Sequence, residues 1–95
     1  MIMDDAEIAE FIDFIARHPT AGDVMEGTGG IRKVRWQRSG MGKRGGARII
    51  YFFHDLDMPI YLLLAYAKAD AGDITPEQKR RMRQLVADLL EHRKR

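Results

Sequence analysis

The chain has 95 residues, 16 Lys and Arg against 14 Asp and Glu, and no cysteine. That length makes one small domain, read here as residues 1–95, with no room for a second core. The lack of cysteine excludes disulfide staples and thiolate chemistry and fits a reducing cytoplasm. No apolar run approaches the roughly 18 to 20 residues that span a bilayer. The N-terminus opens Met1-Ile2-Met3-Asp4-Asp5, which does not read as a signal peptide. The net charge of +2 conceals a strong asymmetry. Residues 1–30 carry seven acids and one base, residues 31–50 seven bases and no acid, and residues 76–95 seven bases and three acids. Clustered cations of this kind are the footprint of a polyanion partner, with an acidic protein as the plainer alternative.

Residues 4–17 predict a packing helix. Ile8, Phe11, Ile12 and Ile15 form one apolar stripe. Asp4, Asp5 and Glu7 crowd the first turn, where the helix dipole favours them. His18-Pro19 stops the helix. Residues 19–30 read as a connector punctuated by Pro19, Gly22, Gly27, Gly29 and Gly30, with a short helical turn expected over 20–24. Gly27-Thr28-Gly29-Gly30 is weak as a phosphate loop, because no strand precedes it and no helix follows.

Residues 31–38 alternate as a strand. Ile31, Lys33, Arg35 and Gln37 point one way; Arg32, Val34, Trp36 and Arg38 point the other. A glycine-rich hairpin loop over 39–47 carries Lys43 and Arg44. The return strand spans 48–54, with Arg48, Ile50, Phe52 and His54 on one face. After the Asp55–Pro59 turn, residues 60–68 are nearly all apolar and predict a strand covered on both faces. Lys68 closes it. Thr75-Pro76-Glu77-Gln78 forms a capping box for a last helix. Its stripe is Met82, Leu85, Val86, Leu89 and Leu90, and most of its Lys and Arg read as a solvated face. No cofactor or metal site stands out, since His18, His54 and His92 lack paired ligand spacing. Trp36 reads as core or interface, and His54 as an ordinary partly buried histidine.

The stretches from Asp23-Val24 through Gly27-Thr28-Gly29-Gly30-Ile31-Arg32-Lys33-Val34-Arg35-Trp36, then Gly45-Gly46-Ala47-Arg48-Ile49-Ile50-Tyr51-Phe52-Phe53, Met58-Pro59-Ile60-Tyr61-Leu62-Leu63 and Ala65-Tyr66-Ala67-Lys68 carry a resemblance. In this order they resemble the RelE/ParE superfamily of bacterial type II toxins, most closely its HigB-like branch. The resemblance implies an α+β RelE-like fold: an N-terminal helix or helical hairpin, a small antiparallel sheet and a C-terminal helix. It implies a ribosome-dependent mRNA endoribonuclease, or mRNA interferase, that inhibits translation. It also implies a cognate antitoxin, in the HigB-like branch one with a helix-turn-helix domain, and operator DNA bound only through that complex.

Two basic residues one apart on a strand match as Lys33 and Arg35. The arginine opening the next strand matches as Arg48, and the basic residue ending the following strand as Lys68. Two features depart from the family. The tyrosine expected soon after Lys68 is absent, leaving Tyr66 or His54 as substitutes. The family also begins with a strand before its first helix, whereas here the helix begins almost at Met1: either the chain is trimmed or mis-started, or the fold lacks an edge strand, which would expose a sheet edge.

Metal-free RNA cleavage needs a base for the 2′-OH, positive charge around the phosphorus and an acid for the leaving 5′-oxygen. Lysine can serve as a base in suitable surroundings, and arginine clamps phosphate oxygens as a fork. Lys33 is the base candidate, Arg35 and Arg48 the phosphate clamp, and Lys68 a secondary phosphate or acid contact. Arg32, Arg38, Lys43 and Arg44 are candidates for RNA or ribosome contact. The plainer readings are a solvated strand face for Lys33 and Arg35, and a salt bridge to Asp55 or Asp57 for Arg48. Two other functions stay open: a ParE-like gyrase poison, which needs no phosphate clamp, and an inactive toxin-like module acting as operon co-repressor.

Overall fold

The computed structural model describes residues 4–36, 47–67 and 74–93. The expected positions Arg38, Lys43, Arg44 and Lys68 lie outside them. In chain order the elements are α1 (Asp5–Arg17), β1 (Asp23–Val24), β2 (Ile31–Trp36), β3 (Ala47–Phe52), β4 (Tyr61–Ala67) and α2 (Pro76–Arg93). The strands form one antiparallel sheet in the order β1-β2-β3-β4. This is the α+β arrangement of a RelE-like fold, with a single helix rather than a hairpin before the sheet.

α1 starts where its acids direct it. The Asp4 carboxylate accepts from the Glu7 N–H at 2.9 Å, and the Glu7 carboxylate from the Asp4 N–H at 3.3 Å. The reciprocal bonds satisfy two otherwise orphaned donors. α2 repeats the device with Thr75 and Gln78, at 2.9 and 3.1 Å. The two helices cover opposite faces of the sheet. On the α1 face, Phe11 and Ile15 pack against Ala47, Ile49 and Tyr51, with Val34, Trp36 and Ala65 alongside. On the α2 face, Val86 packs against Ile31, Ile50 and Phe52, with Met82, Leu89 and Leu90 alongside. Trp36 is core on the α1 side, edge-on to Phe11 with ring centroids 5.3 Å apart and tilted against Phe14.

Three expectations change. Residues 23–24 are not part of a helical turn but a two-residue strand, Asp23 opposite Lys33 and Val24 opposite Arg32. The strand covered on both faces is β3, whose Ile49, Ile50, Tyr51 and Phe52 are all buried. β4 lies at the sheet edge, where Leu62 stays 45% and Leu64 37% exposed. Among the described residues no further strand pairs with its outer side. An apolar groove of about 390 Å³ runs beside it, lined by Ile8, Phe11, Ile49, Leu62 and Leu64. His54 is exposed rather than partly buried. Its ring stacks on Phe52 with centroids 6.2 Å apart.

The connector is tied to the sheet by a buried hydroxyl. The Tyr51 phenol accepts from the Gly22 N–H at 2.9 Å and donates to the Pro19 carbonyl at 2.7 Å. Position 22 must be glycine, because an added Cβ would lie 2.9 Å from the Lys33 carbonyl oxygen and 3.0 Å from the Tyr51 hydroxyl. Buried Thr28 closes the β1–β2 loop, donating to the Met25 carbonyl at 2.6 Å and accepting from the Ile31 N–H at 3.1 Å. Gly27, Gly29 and Gly30 take positive φ around it, where a side chain would be strained.

Candidate functional site

Strand alternation and register assemble the site on the α2 face. Ile31, Lys33 and Arg35 share one side of β2, and Ile31 fixes that side because it packs in the core under α2. Lys33 stands opposite Ile50, and Arg35 opposite Arg48. Arg48 in turn stands opposite Tyr66. Directly opposed residues on antiparallel strands have Cβ atoms about 4.5–5.5 Å apart and project from the same face. Arg35, Arg48 and Tyr66 therefore form a row across three strands. Lys33 is two residues from Arg35 on the same face, about 7 Å along the strand. Arg35 is exposed, and Lys33, Arg48 and Tyr66 are half-buried.

The Arg35 and Arg48 side chains stand side by side across β2 and β3. Their guanidinium forks suit the oxygens of a phosphate. Tyr66 adds an aromatic ring, partly buried against Ile50 and its neighbours. Of the two substitutes for the absent tyrosine, only Tyr66 joins this row. His54 follows the far end of β3, 3.8 Å from the Asp55 carboxylate. Asp55 is itself bonded by the Arg93 guanidinium, which holds its carboxyl below the ordinary value of 3.8. Arg48 opens β3 and Asp55 lies beyond its end, so the expected Arg48–Asp55 salt bridge has no geometric support.

Arg32 is placed elsewhere. It projects from the opposite side of β2 to Lys33, and its guanidinium donates to the Gly22 carbonyl at 2.7 Å and the Thr20 carbonyl at 3.4 Å. That bond braces the connector beside Tyr51. The residue the sequence reading missed is Lys79. It lines a cleft of about 330 Å³ with Lys33, Asp23, Glu26 and Ile74. Its signal was present, since Lys79 lies on the α2 flank next to Met82, Val86 and Leu90. Among the described residues no group of three His, Asp or Glu side chains is placed to hold a metal ion. None of their helices is long and apolar enough to cross a membrane.

The fold and the site define a small α+β protein whose sheet presents paired arginines and a tyrosine on one face, a surface suited to phosphate. The family model described as the RelE toxin of the RelE/RelB toxin-antitoxin system matches residues 3–95, and the chain belongs to that family. It is a toxin of a toxin–antitoxin system, with a cognate antitoxin as its partner.

Proposed function

We propose that the protein is a ribosome-dependent mRNA endoribonuclease that stops translation by cutting the message. The observation that carries this reading is the Arg35–Arg48–Tyr66 row with Lys33 beside it. Arg35 and Arg48 grip the non-bridging oxygens of the scissile phosphate and offset the charge that grows at phosphorus. The Lys33 amine takes the proton of the neighbouring 2′-OH. The 2′-oxygen attacks phosphorus, and the bond to the 5′-oxygen breaks. A proton delivered to that oxygen completes the step, leaving a 2′,3′-cyclic phosphate and a 5′-hydroxyl. The sequence offers Lys68 for that proton, outside the described residues. Tyr66 gives a base next to the clamp an aromatic face to stack on.

This reading calls for no cofactor and for a cytoplasmic protein, where ribosomes translate the message. The HigB-like resemblance extends the reading to an antitoxin with a helix-turn-helix domain and to operator DNA bound only through the complex. The test is a translation reaction with purified protein, with and without ribosomes, in which the 5′ ends of the message are mapped. Cuts only on translating ribosomes, lost in a folded Arg48→Ala protein, are the expected result. Intact message in both arms, from folded wild-type protein, would overturn the reading and turn attention to gyrase. Cutting at the wild-type rate by Arg48→Ala would remove the proposed site.

A further inference from the structure

The cations on the sheet do not stand alone. Lys79 shares the cleft of Lys33, and one turn further along α2 is Arg83. Its guanidinium donates to the Gly27 carbonyl at 3.3 Å, which rests it on the β1–β2 loop. Arg80 lies three residues before Arg83, so Lys79, Arg80 and Arg83 occupy adjoining positions on one side of the helix. Arg80 and Arg83 also line a shallow groove of about 440 Å³ with Arg81, Gln84 and Ala87, and no carboxylate contributes to it. The neighbouring acids are engaged with other partners. Glu77 pairs with Arg81 at 2.8 Å, and Asp88 accepts from the Gln84 amide at 3.0 Å. Arg80 makes no ion pair among the described residues.

We propose that Lys79, Arg80 and Arg83 form a track for the phosphodiester backbone of single-stranded RNA, leading from the Lys33 cleft along α2. The inference rests on the RNA-cutting reading and extends the same site beyond the sheet. Asp23 and Glu26 line the cleft as well, and their charge confines the path to the α2 side. The chemistry of the groove favours RNA over an acidic protein. Its lining offers Ala87 as the one apolar residue, whereas a protein interface has a desolvated core with apolar and aromatic anchors. A polyanion requires only cations spaced along its backbone.

The experiment measures binding of a fluorescent 2′-O-methyl RNA oligomer, which has no 2′-OH to attack, across a KCl series. The full-length wild type is compared with Lys79→Gln/Arg80→Gln/Arg83→Gln. Arg17→Gln is the control, since Arg17 ends α1, across the sheet from the track, and pairs with Asp13. Each lost single-strand phosphate contact lowers the slope of log affinity against log salt by about 0.7, so the triple variant's slope should be shallower by about 2. Affinity at low salt should fall at least tenfold, and Arg17→Gln should bind as the wild type does. If the triple variant misfolds by circular dichroism, Arg80→Gln and Arg83→Gln are measured singly, each expected to remove one contact.

An unchanged slope in folded variants overturns the proposal, as does failure of the wild type to bind the oligomer. Loss of antitoxin binding with RNA binding intact also overturns it, in favour of an acidic protein partner. The outcome is separable from the cutting reading. A slope change without ribosome-dependent cleavage keeps the track and removes the nuclease, and cleavage with no slope change does the reverse.

Discussion

The two faces of the sheet are built from the same strands and do opposite work. Toward α1, β2 presents Val34 and Trp36, and β3 presents Ile49 and Tyr51, packed with Phe11 and Ile15. Toward α2, β2 presents Lys33 and Arg35, and β3 presents Arg48 before Ile50 and Phe52. One face is therefore apolar from Val34 and Trp36 across to Ile49 and Tyr51, with Arg32 as its one cation, taken up by the Gly22 and Thr20 carbonyls. The other is apolar at one end and cationic at the other. The difference teaches that a period-two alternation assigns stability and chemistry to opposite sides of one strand. Arg35 and Arg48 stay exposed or half-buried at the end where α2 does not bury them.

Breaking the α1 face should have the largest effect on folding. Phe11→Ala removes a ring that is 1% exposed and meets both Trp36 and Tyr51. It should cost about 3–5 kcal/mol in chemical denaturation. The matching change on the α2 face is Arg48→Ala. It should lower ribosome-dependent cutting about 100-fold, as loss of one charge-stabilising donor does, with growth arrest lost and the denaturation midpoint nearly unchanged. A destabilised Arg48→Ala protein would show that the division between the faces is not clean.

Tyr51→Phe should cost about 1–3 kcal/mol, because it leaves the buried Gly22 N–H without its acceptor. Burial pushes the Tyr51 phenol above its ordinary value of 10.0. A raised folded value means that this contribution is complete below about pH 10 and is lost as pH rises through the folded value. The stability gap between wild type and Tyr51→Phe should accordingly hold up to about pH 10 and narrow as pH rises above it in urea titrations. The smallest effect is expected at Asp55. The Arg93 hydrogen bond holds its carboxyl below 3.8, so its contribution is present at neutral pH and disappears as pH falls through the folded value. Asp55→Asn should flatten the acid limb of the stability profile while leaving the alkaline limb to Tyr51.

Much of the fold was legible because it is periodic. The stripes of α1 and α2, the Thr75 capping box and the alternation of β2 are local patterns and survive in the structure. The capping pair of Asp4 and Glu7 is as local, three residues apart at the helix start. Two-residue β1 carries no period, so Asp23-Val24 could not be told from a turn. β4 lacks its expected cover on both faces because composition counts apolar residues without saying which strand is central. Most of the site is a matter of register. Alternation places Lys33 and Arg35 on one face, but only pairing sets Arg48 between Arg35 and Tyr66. The register shift beside Ile50 and Tyr51 cannot be counted from the chain. Arg32 looked equivalent to its neighbours in a basic run, and the Gly22 and Thr20 carbonyls that take up its guanidinium lie 10 and 12 residues away.

The strand order carries a further consequence, for how the chain acquires its shape. Each strand pairs with its neighbour in sequence, from β1 through β4, so the sheet closes only short loops. Low contact order of this kind makes for rapid folding, because little loop entropy is lost before pairing is rewarded. The sheet with its arginine row can thus be assembled in the order of synthesis, hairpin by hairpin. α2 is made after the sheet, and until it docks, Ile31, Ile50 and Phe52 lie open beside those arginines. The nascent toxin therefore displays a greasy, basic sheet until α2 docks, an interval in which it is exposed to aggregation.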